Sequence, residues 1–132
     1  ARHRVADLFL DNLPVNAHTA ASDALWVGLP VLTCTGQSFI GRVAASLLES
    51  ADLPQLVTSS LEEYESAALV LAKDRERLQA VRCRLETSRL TKQLFDTNRL
   101  GRNIEAAYGT MYEIWQRGEA PRSFAVECVS SV

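Results

Sequence analysis

Two short apolar runs, separated by a stretch of good helix formers, constrain the fold of this chain most. Residues 7–11 (Asp-Leu-Phe-Leu-Asp) and 31–34 (Val-Leu-Thr-Cys) have the length and apolar character of buried strands. Between them, residues 20–27 favour a helix that Gly28 and Pro30 would end. A strand, a helix and a second strand in this order predict parallel strands covered by helices, which is an α/β fold.

The next segments continue this alternation. Ser38 can cap a helix that reaches about Ser50, and residues 53–57 suit a third short strand. Two or three strands are few for a sheet that stands alone, and the chain has no initiator methionine. We therefore expect the C-terminal half of a doubly wound lobe whose first half precedes residue 1. The apolar positions of the predicted helix are Phe39, Val43, Leu47 and Leu48.

The remainder of the chain is predicted to be helical. Ser60 and Glu63 form a capping-box pattern, and apolar residues then recur at helical spacing in three stripes. We divide the chain into strand–helix repeats (1–58), C-terminal helices of the same lobe (59–118) and a loose tail (119–132). The stripes comprise Leu61, Tyr64, Ala68 and Leu71; Leu78, Val81 and Leu85; and Leu100, Ile104, Tyr108, Met111 and Trp115.

The composition excludes several functional classes. The 132 residues carry a formal net charge of −2, with 47 % hydrophobic and 23 % charged residues, which is typical of a globular protein that does not attract polyanions. No apolar stretch approaches the ~18–20 residues that cross a bilayer. The cysteines (Cys34, Cys83 and Cys128) are widely spaced and odd in number, which predicts reduced thiols. We expect a cytoplasmic protein without metal, nucleic-acid or membrane partners.

Candidate ligand-binding residues lie where the first predicted helix begins. This helix follows the carboxyl end of a predicted parallel strand, where phosphate groups bind in α/β folds because the first amides of a helix have no intrahelical acceptor. Thr19 and Ser22 add hydroxyl donors. Asp23, expected in the first turn and facing the same crevice, can accept hydrogen bonds from both hydroxyls of a ribose. Simpler interpretations are a backbone-bonded loop histidine at His18, a helix cap at Thr19 and a helix-dipole partner at Asp23.

This segment resembles the nucleotide-sugar motif of the protein O-linked N-acetylglucosamine transferases, which are family 41 glycosyltransferases of SPINDLY-like type. The similarity implies a Rossmann-like lobe of a two-lobed (GT-B type) glycosyltransferase with a helical C-terminal extension. It also implies that His18 and Thr19 contact the diphosphate of UDP, that backbone amides near Ala20 complete the phosphate cradle, and that Asp23 holds the ribose. The motif comprises Asn16-Ala17-His18-Thr19, Asp23, Leu25-Trp26 and Gly28-Leu29-Pro30-Val31, and further matches lie at 42–46 and 94–97.

The same resemblance implies an activity for the whole protein. It would transfer N-acetylglucosamine from UDP-GlcNAc to serine or threonine hydroxyls of acceptor proteins, without a metal or other cofactor. The other lobe, its candidate acid–base residues and tetratricopeptide repeats would precede residue 1. We therefore expect no catalytic residue within this chain, and no transferase activity from the chain alone.

Departures from the family pattern leave alternatives open. Ala20 replaces the second threonine of the motif, Thr35 a proline, and Gln37 a residue that is often glutamate. One alternative is a relative that transfers fucose from GDP-fucose or glycosylates asparagine. Another is a non-catalytic interaction module with a vestigial nucleotide site.

We expect structural roles for three further residue types. We expect Trp26 and Trp115 in the core or in lobe packing, and Cys34 as a small apolar residue of a buried strand. The arginines of 75–89 alternate with acidic residues, which predicts a solvated helix face.

Overall fold

The computed structural model describes residues 2–91 and 93–126. The chain forms two compact units, residues 1–94 and residues 95–132. The first unit contains a three-stranded parallel sheet in the order β1-β2-β3. Its strands are β1 (Phe9–Leu10), β2 (Val31–Cys34) and β3 (Val57–Thr58), and its α-helices are α1 (Thr19–Trp26), α2 (Val43–Ser50), α3 (Leu61–Lys73) and α4 (Arg75–Thr91).

The central strand β2 organises the core of the first unit. All four of its residues are buried, and α1, α2 and α3 each contact it. Phe9 pairs with Val31 on one side, and Thr33 pairs with Val57 on the other. The predicted α/β arrangement of parallel strands and covering helices is therefore confirmed, as is the buried position of Cys34.

The outer strands differ from the sequence prediction. β1 has two residues rather than five, and Leu10 is 53 % exposed, because β1 pairs on one side only as an edge strand of the described sheet. The third strand begins later in the chain than the predicted strand of residues 53–57. Pro54–Leu56 form a 3-10 turn, since proline has no amide hydrogen for a strand ladder, and β3 begins only at Val57.

The helix after β2 also begins later than predicted. Ser38 caps a short 3-10 turn, Phe39–Gly41, by accepting a hydrogen bond from the amide of Gly41, and α2 starts at Val43. Phe39, predicted as an apolar position of this helix, therefore lies outside α2 and is highly exposed. The 3-10 turn is fixed because the Gly36 amide donates to the Gly41 carbonyl at 2.7 Å.

The capping-box prediction for α3 is confirmed with one difference. The Glu63 amide donates to the Ser60 hydroxyl, but the Glu63 carboxylate accepts from the amide and hydroxyl of Ser59. These bonds lower the pKa of Glu63 from its ordinary value, the backbone bond from Ser59 most. Of the apolar stripe of α3, Leu71 is buried, whereas Leu61, in the first helical turn, is 63 % exposed.

The arginines of α4 are not all on a solvated face. Arg82 donates to the carbonyls of Ala6 and Asp7 at 2.7 and 3.2 Å and pairs with the Asp7 carboxylate. Arg84 pairs with Asp52. The prediction of a solvated face is therefore wrong for Arg82, which is 28 % exposed because its side chain reaches the segment that precedes β1, whereas Arg84 stays 52 % exposed beside Asp52.

Trp26 is 55 % exposed at the end of α1, so the core prediction for it is wrong. The guanidinium of Arg89 lies 5.6 Å from its ring centroid and donates to its carbonyl at 2.8 Å. Gly28, with a positive φ of 86°, ends the helix as predicted.

The second unit consists mainly of α5 (Thr97–Gln116), capped by the Asp96 side chain, which accepts from the Arg99 amide. The predicted helix is confirmed. Its predicted apolar stripe, which includes Trp115, is exposed, and the residue that α5 buries is Ile114. Among the described residues, no helix combines the length and apolar character needed to cross a membrane. Of the cysteines, Cys128 lies outside the described residues, and Cys34 and Cys83 are free thiols.

Candidate functional site

The opening of α1 lies at the carboxyl end of β1, as the sequence predicted. The first intrahelical hydrogen bond runs from the Ser22 amide to the His18 carbonyl at 3.1 Å. The amides of residues 19–21 precede it and have no acceptor inside the helix. His18 occupies the N-cap position, but its side chain makes no capping bond. The helix therefore begins with amides that can donate to a ligand.

All four predicted site residues are exposed around this opening. His18, Thr19 and Ala20 form the start of α1, and Asp23 follows on the same helix. The Nε2 atom of His18 lies 3.5 Å from the carbonyl oxygen of Ile40. The structure thus brings the predicted residues together on a solvent-accessible helix end.

Two details of the site differ from the prediction. Asp23 is the fifth residue of α1, which places it in the second turn rather than the first. Because the cap position belongs to His18, Thr19 is the first helical residue and does not cap the helix. Ser22 is half-buried, and its amide donates to the His18 carbonyl.

A second loop packs beside the opening. The carbonyl of Ile40 accepts from the amide of Asn16 at 3.0 Å, which joins residues 35–42 to the loop that leads into α1. Asn16 is buried, and its Nδ2 atom donates to the Asn12 carbonyl at 3.2 Å. The two loops therefore support each other at the carboxyl edge of the sheet.

Sequence reasoning missed Asp11 and Tyr64 as supports of this site. The Asp11 carboxylate is buried and bonded within the loop, and the Tyr64 hydroxyl donates to the Asp11 carbonyl at 2.9 Å. Burial, and secondarily the nearby Asp11 charge, raises the pKa of Tyr64 from its ordinary value of 10.0. The available signal was an acidic residue directly after an apolar run, which is a strand end in an α/β fold.

The described residues contain no group of three or more histidine, cysteine or acidic side chains placed to hold a metal ion. The expectation of a metal-free site remains a prediction. The chemistry that the described arrangement offers is hydrogen-bond donation from amides and a hydroxyl, together with one exposed carboxylate.

The sequence of this chain is similar to those of peptide N-acetylglucosaminyltransferases. The chain is 40 % identical, over 95 % of its length, to a probable UDP-N-acetylglucosamine–peptide N-acetylglucosaminyltransferase (SEC) of Arabidopsis thaliana, and 33 % identical, over 89 %, to such an enzyme of Caenorhabditis elegans. It spans 13 % and 10 % of the lengths of these relatives.

A solved structure and a family model agree with these relatives. A mutant O-GlcNAc transferase of Thermobaculum terrenum matches 85 % of this chain with a TM-score of 0.78 and 34 % identity, and the match covers 22 % of that enzyme. This similarity confirms the predicted Rossmann-like, GT-B type fold class. The model of glycosyl transferase family 41 matches residues 1–104. The chain therefore belongs to glycosyl transferase family 41.

Proposed function

We propose that this chain forms the UDP side of the donor site in a protein O-GlcNAc transferase. The protein that contains it would transfer N-acetylglucosamine from UDP-GlcNAc to serine or threonine hydroxyls of proteins. The observation that carries the proposal is the exposed opening of α1 at the carboxyl end of β1, with His18, Thr19, Ala20 and Asp23 around it. The relatives, whose names state UDP-N-acetylglucosamine and peptide as substrates, support the choice of donor and acceptor.

In this proposal the start of α1 binds the diphosphate. The His18 ring, the Thr19 hydroxyl and the amide of Ala20 donate hydrogen bonds to phosphate oxygens, and the positive end of the helix dipole adds to their effect. Negative charge grows on the β-phosphate as the glycosidic bond breaks. Hydrogen-bond donors that are already in place stabilise this growing charge more than they stabilise the charge of intact UDP-GlcNAc. This difference lowers the barrier to transfer.

The second-turn position of Asp23 suits contact with the ribose. Asp23 comes four positions after Thr19, and a helix rises about 1.5 Å per residue, so the two lie about 6 Å apart along the axis. A nucleotide lying along the helix start can therefore place its diphosphate at the opening and its ribose beside the carboxylate. A carboxylate accepts bonds from both ribose hydroxyls and donates none.

We further propose the partners that this role requires. A second lobe of the same protein would complete the cleft, and an acceptor protein would enter it. Tetratricopeptide repeats that select the acceptor, a cytoplasmic location and independence from metal ions stay predictions of the family resemblance. No catalytic side chain is assigned within this chain.

The direct test uses the full-length protein and its two matched histidine variants. Calorimetry should detect UDP binding, and a peptide should receive N-acetylglucosamine from UDP-GlcNAc. His18→Ala should weaken UDP binding, whereas His3→Ala, which removes a half-buried histidine whose ring lies beside Phe9, should not. Stronger binding of GDP than of UDP would favour the fucosyl alternative. Binding of neither nucleotide would favour a non-catalytic module.

A further inference from the structure

The Asp11 side chain lies at the base of the loop that leads into α1. Asp11 is only 5 % exposed. Its Oδ1 atom accepts hydrogen bonds from the amides of Asn12 and Ala17, at 2.8 and 2.7 Å, and its Oδ2 atom accepts one from the Thr33 hydroxyl at 2.6 Å. Because burying a carboxylate is unfavourable unless it is well hydrogen-bonded, these donors determine where it sits.

One carboxylate oxygen thereby joins the two ends of the loop. Asn12 and Ala17 are five residues apart in sequence, and both donate to Oδ1. Ala17 directly precedes His18, the N-cap of α1. The bond from Thr33 ties the same carboxylate to β2, the central strand of the sheet. The direction in which the chain enters α1 is therefore set by contact with the most buried strand.

The three hydrogen-bond donors to Asp11 come from three different segments of the chain. Thr33 projects from β2, Asn12 follows the end of β1, and Ala17 precedes the opening amides. A shift of Ala17 would carry His18 with it, and the amides of residues 19–21 would turn away from their common direction. Phosphate binding at a helix start depends on those amides pointing at one place.

We propose that Asp11 is a positioning residue for the diphosphate: through Ala17 and Thr33 it fixes the loop of residues 12–18 and so aims the first amides of α1. This inference rests on the proposed function, since it requires that the opening of α1 take a diphosphate. Asp11 itself touches no ligand in this arrangement. Its effect should therefore appear in phosphate contacts and not in contacts of the nucleoside.

Two matched valine variants of the full-length protein test this role. Thr33→Val removes the hydroxyl that holds Asp11, while Thr58→Val removes a similarly buried hydroxyl that donates only to the Thr33 carbonyl, at 3.0 Å. Asp11→Asn, which keeps one acceptor oxygen, is the conservative third variant. For each, hydrogen exchange of peptides covering residues 12–21 is measured, together with the dissociation constants of UDP and, by competition, of uridine.

The expected results differ between the variants that loosen the loop of residues 12–18 and the control variant. Thr33→Val and Asp11→Asn should speed amide exchange in residues 12–21 and raise the dissociation constant of UDP roughly three- to tenfold, equivalent to the loss of one hydrogen bond. The constant for uridine should change less than about twofold. Thr58→Val should leave both the exchange in that segment and the UDP-to-uridine ratio as in the wild type.

Two results would overturn the positioning role while the proposed function stands. One is unchanged exchange in residues 12–21 in both Thr33→Val and Asp11→Asn, with wild-type UDP binding intact. The other is an equal loss of UDP and uridine affinity, which would indicate general destabilisation. A wild-type protein that binds no UDP is a different result, because it contradicts the nucleotide site itself.

Discussion

The carbonyl oxygen of Pro14 lies 3.0 Å from the position that a Cβ atom would take at Gly41. The Ser38 hydroxyl and the Gly36 Cα atom are at 3.2 and 3.3 Å from the same position. Two of these neighbours are backbone atoms, which cannot rotate away. The two loops beside α1 therefore approach each other at a point where only a hydrogen fits.

We expect Gly41→Ala to lower the free energy of unfolding by about 1–3 kcal/mol, because the added methyl group overpacks this contact. The matched control is Gly109→Ala, in α5, where an added Cβ would meet nothing within 4 Å. That change should stabilise its helix by roughly 0.5–1 kcal/mol. Denaturant titration of both variants checks the pair, and equal effects would contradict the tight approach at Gly41.

In the full-length protein, Asp23→Ala should weaken UDP binding by about 1–3 kcal/mol, the cost of losing charge-assisted hydrogen bonds to the ribose. Calorimetry with UDP measures the change. Glu49→Ala removes another exposed carboxylate, from the neighbouring helix α2, and should leave the dissociation constant unaltered. A wild-type constant in Asp23→Ala would rule out the ribose contact.

Ala20→Thr should tighten UDP binding several-fold, since it adds a hydroxyl donor to the start of α1, worth about 0.5–1.5 kcal/mol for a hydrogen bond. Ala20 is exposed, so the larger side chain requires no repacking. Ala20→Val adds similar bulk without a hydroxyl and serves as the control. If threonine and valine behave alike, the opening of α1 does not contact the phosphates, as the vestigial-site alternative requires.

Tyr64→Phe tests how α3 supports the loop. It removes the hydrogen bond to the Asp11 carbonyl and should cost about 0.5–1.5 kcal/mol of stability at neutral pH. The pKa of Tyr64 is raised from 10.0 by burial, so the folded state keeps a proton that the unfolded state loses as the pH rises above 10. The contribution of Tyr64 is therefore complete below pH 10 and is lost as the pH rises through its folded pKa.

Unfolding measured between pH 7 and pH 11 distinguishes this prediction. The Tyr64→Phe variant should lose less stability above pH 10 than the wild type does. Tyr108→Phe, at an exposed position of α5, should change the stability little at any of these pH values. If the free energy of unfolding of the Tyr64→Phe variant fell with pH above pH 10 as steeply as that of the wild type, the role of burial would be contradicted.

Sequence patterns predicted the parts of the fold that depend on local order. The apolar run of β2 and the alternation of strands with helices indicated a parallel sheet, and the position of His18 after β1 indicated an exposed helix start. These patterns did not predict which turn of α1 contains Asp23. It depends on which residue caps α1, and His18 does so without a side-chain bond that a pattern could reveal.

Long-range contacts account for some of the predictions that failed. The indole of Trp26 is covered in part by Arg89, which comes 63 residues later in the chain. Arg82 likewise binds carbonyls 75 and 76 residues earlier. Helical spacing shows that side chains share a face, as in α5, but it does not show what covers that face. Asp11 was missed for the same reason, because its partner Thr33 lies on another strand.

The placement of the tryptophans gives each unit its own optical probe. The chain has two, Trp26 at the end of α1 and Trp115 near the end of α5, and they fall in different units. A protein with phenylalanine at one of these positions would report through the other by intrinsic fluorescence. The Arg89 guanidinium over the Trp26 ring would quench or shift its emission until the first unit opens, so melting of the first unit can be followed separately from that of the C-terminal helix.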